Sequence, residues 1–260
     1  MTYEFSEEEK ERYSRHMLLK GVGAAGQARV REAKVLLVGA GGLGSPVAYY
    51  LAAAGVGTLG IVDFDTVDTS NLQRQTLHTS ADLGRPKVES AAEKLRALNP
   101  HVCVAQHRER LTASNAMGII QDYDFVVEAT DSLAAKFLIN DACVLAGKPF
   151  SHGGVLRFEG ETMTYVPGHA CYRCIFNAPP AAGQAQTSAQ VGVAGPVAGV
   201  VGALQATEVL KYFTGTGKLL TDRLLTIDAA EMAFHTMSVR RSAHCPICGQ
   251  KPTILSLEDE

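Results

Sequence analysis

The 260-residue chain has no surplus of positive charge: 24 Lys and Arg against 27 Asp and Glu leave a formal net charge of -3. Neither nucleic acid nor an anionic membrane surface is therefore expected as a partner. Nor is there an apolar run long enough to span a bilayer. The strongest candidate, 191–204, is broken by four glycines and a proline and reads as a buried helix instead. No basic and then apolar leader is present; Met1 to Lys10 is acidic and polar, so export is not expected. Internal repeats and low-complexity tails are also missing. Residues 174–207 contain no Asp, Glu, Lys or Arg, and the first half of that stretch, Asn177 to Gln190, is rich in Ala, Gln, Gly and Pro without a usable hydrophobic period. It reads as a crossover loop.

Hydrophobic residues make up 46% of the chain, enough for a sizeable core. Strand-like runs at 34–39, 59–63, 102–107 and 125–129 alternate with helical patterns at 43–54, 87–98, 112–121 and 133–146. This is the signature of βαβ units and a mostly parallel sheet. After Pro149 shorter strand-like pieces follow at 155–158, 161–166, 224–227 and 234–239, which suggest antiparallel additions. The expected fold is α/β, a Rossmann-like sheet extended by antiparallel strands. We divide it into an N-terminal helical segment (1–30), a nucleotide-binding region (31–150) and an antiparallel extension (151–260), all in one continuous domain.

Four of the six cysteines form two Cys-x-x-Cys pairs, Cys171/Cys174 and Cys245/Cys248. A two-residue gap lets both sulfurs of a pair reach one tetrahedral ion, so the pairs together predict a closed, structural four-cysteine zinc site with no open catalytic position. Cys103 in a predicted strand and Cys143 in a predicted helix are expected to be inert core thiols, which fits a reducing cytoplasm.

The segment Val35-Leu36-Leu37-Val38 runs into Gly39-Ala40-Gly41-Gly42-Leu43-Gly44 and then a helix. Glycines there permit a tight turn and close backbone approach, and the helix start offers unpaired N–H groups to phosphate. Asp63, 19 residues past Gly44, suits ribose hydroxyls. A nicotinamide dehydrogenase would need no more than this. The chain adds Asp65, then Ser70-Asn71-Leu72-Gln73-Arg74-Gln75, then Pro86-Lys87, and Thr130-Asp131-Ser132 after the fourth strand. Arg74 and Lys87 can offset a triphosphate, and Asp131 can hold magnesium beside it. Read singly, the two cations are also compatible with surface positions and Asp131 with a helix cap.

These motifs, with Arg12-Tyr13-Ser14-Arg15 and Gly195-Pro196, resemble over nearly the full length the MoeB/ThiF family of adenylating enzymes that activate ubiquitin-like sulfur carriers. The resemblance implies that ATP adenylates the carrier's C-terminal glycine. It places Gly41, Gly42, Asp63, Asp65, Ser70, Asn71, Arg74, Lys87, Asp131 and Ser132 at the nucleotide, with Mg2+ at Asp131. It gives Arg15, Arg74, Lys87 and Asp131 catalytic roles, Arg15 acting across a homodimer interface. Relatives that go on to a thioester or persulfide carry a loop cysteine where this chain has Thr187-Ser188-Ala189-Gln190, and no cysteine lies between Cys174 and Cys245. The enzyme is accordingly expected to stop at the adenylate. The alternatives from other classes are a nicotinamide-dependent dehydrogenase and a non-catalytic zinc scaffold that binds carriers.

Overall fold

A computed structural model describes residues 4–179, 186 and 188–258. Three helices, α1 (Glu7–Arg12), α2 (Ser14–Met17) and α3 (Gly23–Glu32), precede strand β1 (Lys34–Val38). The chain continues through α4 (Gly44–Ala54), β2 (Thr58–Val62), α5 (Lys87–Leu98), β3 (Cys103–His107), α6 (Ala116–Ile120), β4 (Phe125–Glu128) and α7 (Leu133–Ala146). The hairpin β5 (Phe150–Leu156) and β6 (Glu159–Tyr165) follows, then short α8 (Arg173–Phe176) and α9 (Ser188–Val191), the long α10 (Gly195–Thr214), and β7 (Arg223–Asp228) with β8 (Ala233–Ser238).

Among the described residues, eight strands form one sheet in the order β3-β2-β1-β4-β5-β6-β7-β8. Pairing is parallel from β3 to β5 and antiparallel from β5 to β8. Because both faces of the parallel part are covered by helices, its strands read as continuous apolar runs rather than alternating ones. Side chains still sort by face. Val35 and Leu37 of β1 pack with Leu51, Leu95 and Val201, while Leu36 and Val38 join Ile120, Phe137 and Ile139 on the other side.

Two boundaries differ from expectation. The helix expected over 112–121 is confined to α6, because the Thr112 N–H bonds the Asn115 side chain at 2.8 Å and closes a turn there. The strand expected at 155–158 begins five residues earlier, at Phe150, and its first residues pair parallel with β4. Gly153 and Gly154 obscured it: glycines in a strand carry no hydrophobic signal. The boundary drawn between 150 and 151 thus falls within β5. Half of the Asn177–Gln190 stretch, 180–185 and 187, lies outside the described residues, and its end opens α9. Cys103 is exposed, not core, because β3 is an edge strand; Cys143 is fully buried on α7, which drives its thiol pKa up. Among the described residues no helix is long and apolar enough to cross a membrane.

Candidate active site and cysteine cluster

Strand order reverses between β1 and β4: β2 and β3 lie to one side of β1, β5 to the other. Loops leaving such a point splay apart and open a crevice at the carboxyl ends of the strands. A cavity of about 1150 Å³ occupies it. The glycine loop forms one wall. A methyl group on Gly44 would sit 1.9 Å from the Gly39 carbonyl, so the turn into α4 closes only with glycine there. The loop is also pinned by Asp63 at the end of β2, whose carboxylate accepts the Ala40 N–H at 2.8 Å and the Asp65 N–H at 2.9 Å. Phe64 and Arg110, stacked with the guanidinium 3.9 Å from the ring centroid, border the cavity beside β2 and β3.

The expected site residues largely converge. Gly41, Gly42, Asp63, Asp65, Arg74, Lys87, Asp131 and Ser132 all line this cavity. Lys87 opens α5 and is 6% exposed, with its ammonium 3.0 Å from Asp65. Arg74 lays its stem on the glycine loop, 3.4 Å from where a Gly42 side chain would start, and bonds the Ser70 carbonyl at 3.0 Å. Ser132, not Asp131, caps α7. This leaves the exposed Asp131 carboxylate without a hydrogen bond among the described residues and facing the cavity, a geometry open to a hydrated cation. Ser70 and Asn71 stand outside the cavity lining; the Ser70 hydroxyl donates to Asp68 at 2.6 Å. Arg15 is exposed on α2 and does not line the cavity of its own chain.

Beneath Asp131 lies a charged cluster to which the sequence analysis assigned no role. Glu128, wholly buried at the end of β4, takes the Lys136 ammonium at 3.0 Å and a His152 ring nitrogen at 2.7 Å. The other His152 nitrogen reaches Glu161 at 3.3 Å. Lys136 also donates to the carbonyls of Thr130 at 2.9 Å and Gly153 at 2.6 Å, so one ammonium ties the turn bearing Asp131 to β5. Burial pushes the Glu128 pKa up, but the Lys136 charge and the His152 hydrogen bond overcome it and hold the carboxyl at about 2. Burial disfavours the charged form of His152, yet its hydrogen bonds to Glu128 and Glu161 raise its pKa. The signal was available in sequence. A glutamate closing an otherwise apolar buried strand demands a partner.

Past Asp131 the cavity continues along the antiparallel strands, beside Gly154, Leu156, Gly160 and Thr226. At this end the chain before α10 is stitched to the β5–β6 turn by bonds from Arg157 N to Gly192 O at 2.9 Å and from Ala194 N to Arg157 O at 2.8 Å. The first residue of α10, Gly195, then presses on the Arg74 segment, where a methyl group would lie 2.6 Å from the Gln73 carbonyl.

Cys171, Cys174, Cys245 and Cys248 meet, with all four sulfurs within 4.8 Å of one another. Neighbouring sulfurs are 3.9, 3.6 and 3.4 Å apart, close to the roughly 3.8 Å edge of a tetrahedron with zinc–sulfur bonds of 2.3 Å. The cluster can hold zinc. Its first knuckle rests on α7, where the Arg173 guanidinium grips Asp141 at 2.7 and 2.8 Å and the Tyr172 N–H bonds Asn140 at 2.8 Å.

A glycine-loop crevice on a half-parallel, half-antiparallel sheet, in a chain that also carries a four-cysteine cluster, defines a class of nucleotide-handling α/β protein. Within that class the chain belongs to the ThiF family, whose model matches residues 13–247. It is 46% identical to a sulfur carrier protein adenylyltransferase of Thermus thermophilus over 98% of this chain and 96% of that one. It is 44% identical to the SAMP-activating enzyme E1 of Haloferax volcanii over 96% and 93% of the two chains. Among solved structures it superposes on Escherichia coli MccB crystallised with AMPCPP and MccA, with TM-score 0.82 and 26% identity over 92% of this chain and 74% of that one.

Proposed function

We propose that the protein is an ATP-dependent adenylyltransferase that activates the C-terminal glycine of a ubiquitin-like sulfur carrier. One observation carries this reading. A single cavity is lined by a phosphate-binding glycine loop, by Arg74 and Lys87 among its cations and by the free Asp131 carboxylate, and it then runs on along the antiparallel strands. Its roughly 1150 Å³ exceeds the 300–1,000 Å³ usual for small ligands, which leaves room for a slender peptide end beside the nucleotide. Neither a dehydrogenase nor a passive zinc scaffold needs Arg74, Lys87 and Asp131 in one crevice. On this reading residues 31–150 bind ATP, while 151–260 present the carrier channel and the zinc knuckles within one adenylation domain.

In the reaction a terminal carboxylate oxygen of the carrier attacks the α-phosphorus of ATP. The bond from that phosphorus to the bridging oxygen breaks, pyrophosphate leaves with the electron pair, and no proton moves. Two anions have to meet, so Arg74 and Lys87 offset their repulsion and the charge that grows in the transition state. Asp63 orients the ribose. Asp131 would hold magnesium, which supplies further neutralisation at the phosphates. The four thiolates would bind structural zinc. Arg15, remote from its own cavity, acts in the neighbouring subunit of a homodimer. The sequence holds no cysteine between Cys174 and Cys245, which supports a reaction that ends at the acyl-adenylate. Sulfuration then falls to a separate thiol or persulfide donor.

Pyrophosphate exchange into ATP, run with purified carriers ending in Gly-Gly, tests the reading. Exchange that depends on a carrier is expected. ATP bound without exchange for any carrier would return the scaffold reading, and oxidation of reduced nicotinamide would favour the dehydrogenase.

A further inference from the structure

We propose that His78 is a positioning residue of the nucleotide site, a neutral imidazole that locks the glycine loop to the helix carrying Lys87. This rests on the nucleotide reading above. His78 is 4% exposed and lies outside the cavity lining, so it touches no substrate. One ring nitrogen, Nε2, lies 3.0 Å from the Ala40 carbonyl of the glycine loop, and the other, Nδ1, lies 2.9 Å from the Ser90 hydroxyl of α5. Ser90 is three residues beyond Lys87, on the same face of that helix.

The direction of each hydrogen bond follows from the partners. A carbonyl oxygen only accepts, so Nε2 carries the proton. Nδ1 of a neutral ring then accepts, and the Ser90 hydroxyl donates to it. The Ser90 oxygen in turn takes the Lys94 ammonium at 2.8 Å, and Lys94 also reaches Asp82 at 2.6 Å. Burial, reinforced by the nearby Lys94 and Lys87 charges, keeps the ring neutral by lowering its pKa, against the pull of the Ala40 bond.

The result is a glycine loop held from two sides. The Ala40 N–H is fixed by Asp63 at 2.8 Å, and its carbonyl is fixed by His78. The backbone that must approach the phosphates is thereby registered against both the ribose acid and the helix that delivers Lys87. Substrate positioning of this sort is where small displacements weaken binding and rate steeply.

Binding of a fluorescent N-methylanthraniloyl-ATP, measured without carrier, tests the assignment. His78→Phe keeps a flat ring but loses the donor, and it should weaken binding about tenfold. His78→Gln can still place an amide N–H against the Ala40 carbonyl and should bind within about threefold of wild type. The melting temperature of both variants should fall together. Wild-type binding in His78→Phe, or a Gln variant no better than the Phe variant, overturns the proposal. Should His78→Phe fail to fold, Ser90→Ala carries the test: binding weakened about threefold supports the clamp, and unchanged binding overturns it. Analogue binding by the wild-type protein that is weakened in His78→Phe, together with no carrier-dependent exchange by the wild type, would count against the function proposed above and leave the His78 assignment standing.

Discussion

At the scale of single residues, the crevice separates side chains that act on phosphate from those that hold its walls. Lys87→Ala should lower carrier-dependent exchange by about 10²- to 10³-fold. The fold should survive, because its partner Asp65 is half-exposed and regains water. Lys136→Met should behave oppositely. It strands Glu128 in the core, and a broken buried ion pair of this kind costs ~3–5 kcal/mol in denaturant unfolding. The acid limb of stability follows from the same group. Glu128 has a folded pKa depressed from 4.5 to about 2, so its contribution is complete above pH 4.5 and is lost as the pH falls from there towards 2. Denaturant midpoints recorded across that window should decline, and less steeply in Glu128→Gln. An identical slope in the variant would assign the acid lability elsewhere.

At the scale of elements, helices α5 and α7 occupy the ranges that their patterns predict, since α5 is amphipathic and preceded by Pro86 while α7 is buried through its middle and stopped by Gly147. The glycine loop and the Cys-x-x-Cys pairs were legible for a different reason: their chemistry depends on local spacing. The start of β5 was not, because its identity comes from pairing with β4, 24 residues away in the Glu128 to His152 register. Glu128 in an apolar strand signalled that it needs partners, but that Lys136 and His152 supply them comes from the fold, as do the partners of His78, 38 and 12 residues away. The cysteine cluster makes its own prediction. Cys245→Ser should abolish the zinc measured by elemental analysis and lower the melting temperature, because an ion held there would bridge knuckles 74 residues apart. Full metal content in that variant would contradict a four-thiolate site.

At the scale of the whole molecule, Arg15 lies outside its own cavity, and the proposed function would make quaternary structure part of the chemistry. The protein should sediment at twice the mass of its chain. Arg15→Ala and Arg74→Ala should each be nearly inactive yet folded, and mixing the two should recover exchange, since a mixed pair rebuilds one complete site. No recovery on mixing would place Arg15 outside the reaction. The seat of Gly195 against the Gln73 carbonyl reaches further. Through the bonds at Arg157 the same backbone also grips the β5–β6 turn at the other end of the cavity, so one segment touches both ends. On the proposed function, any affinity that a peptide tail gained from a filled phosphate pocket through this segment would be returned in equal measure to the nucleotide.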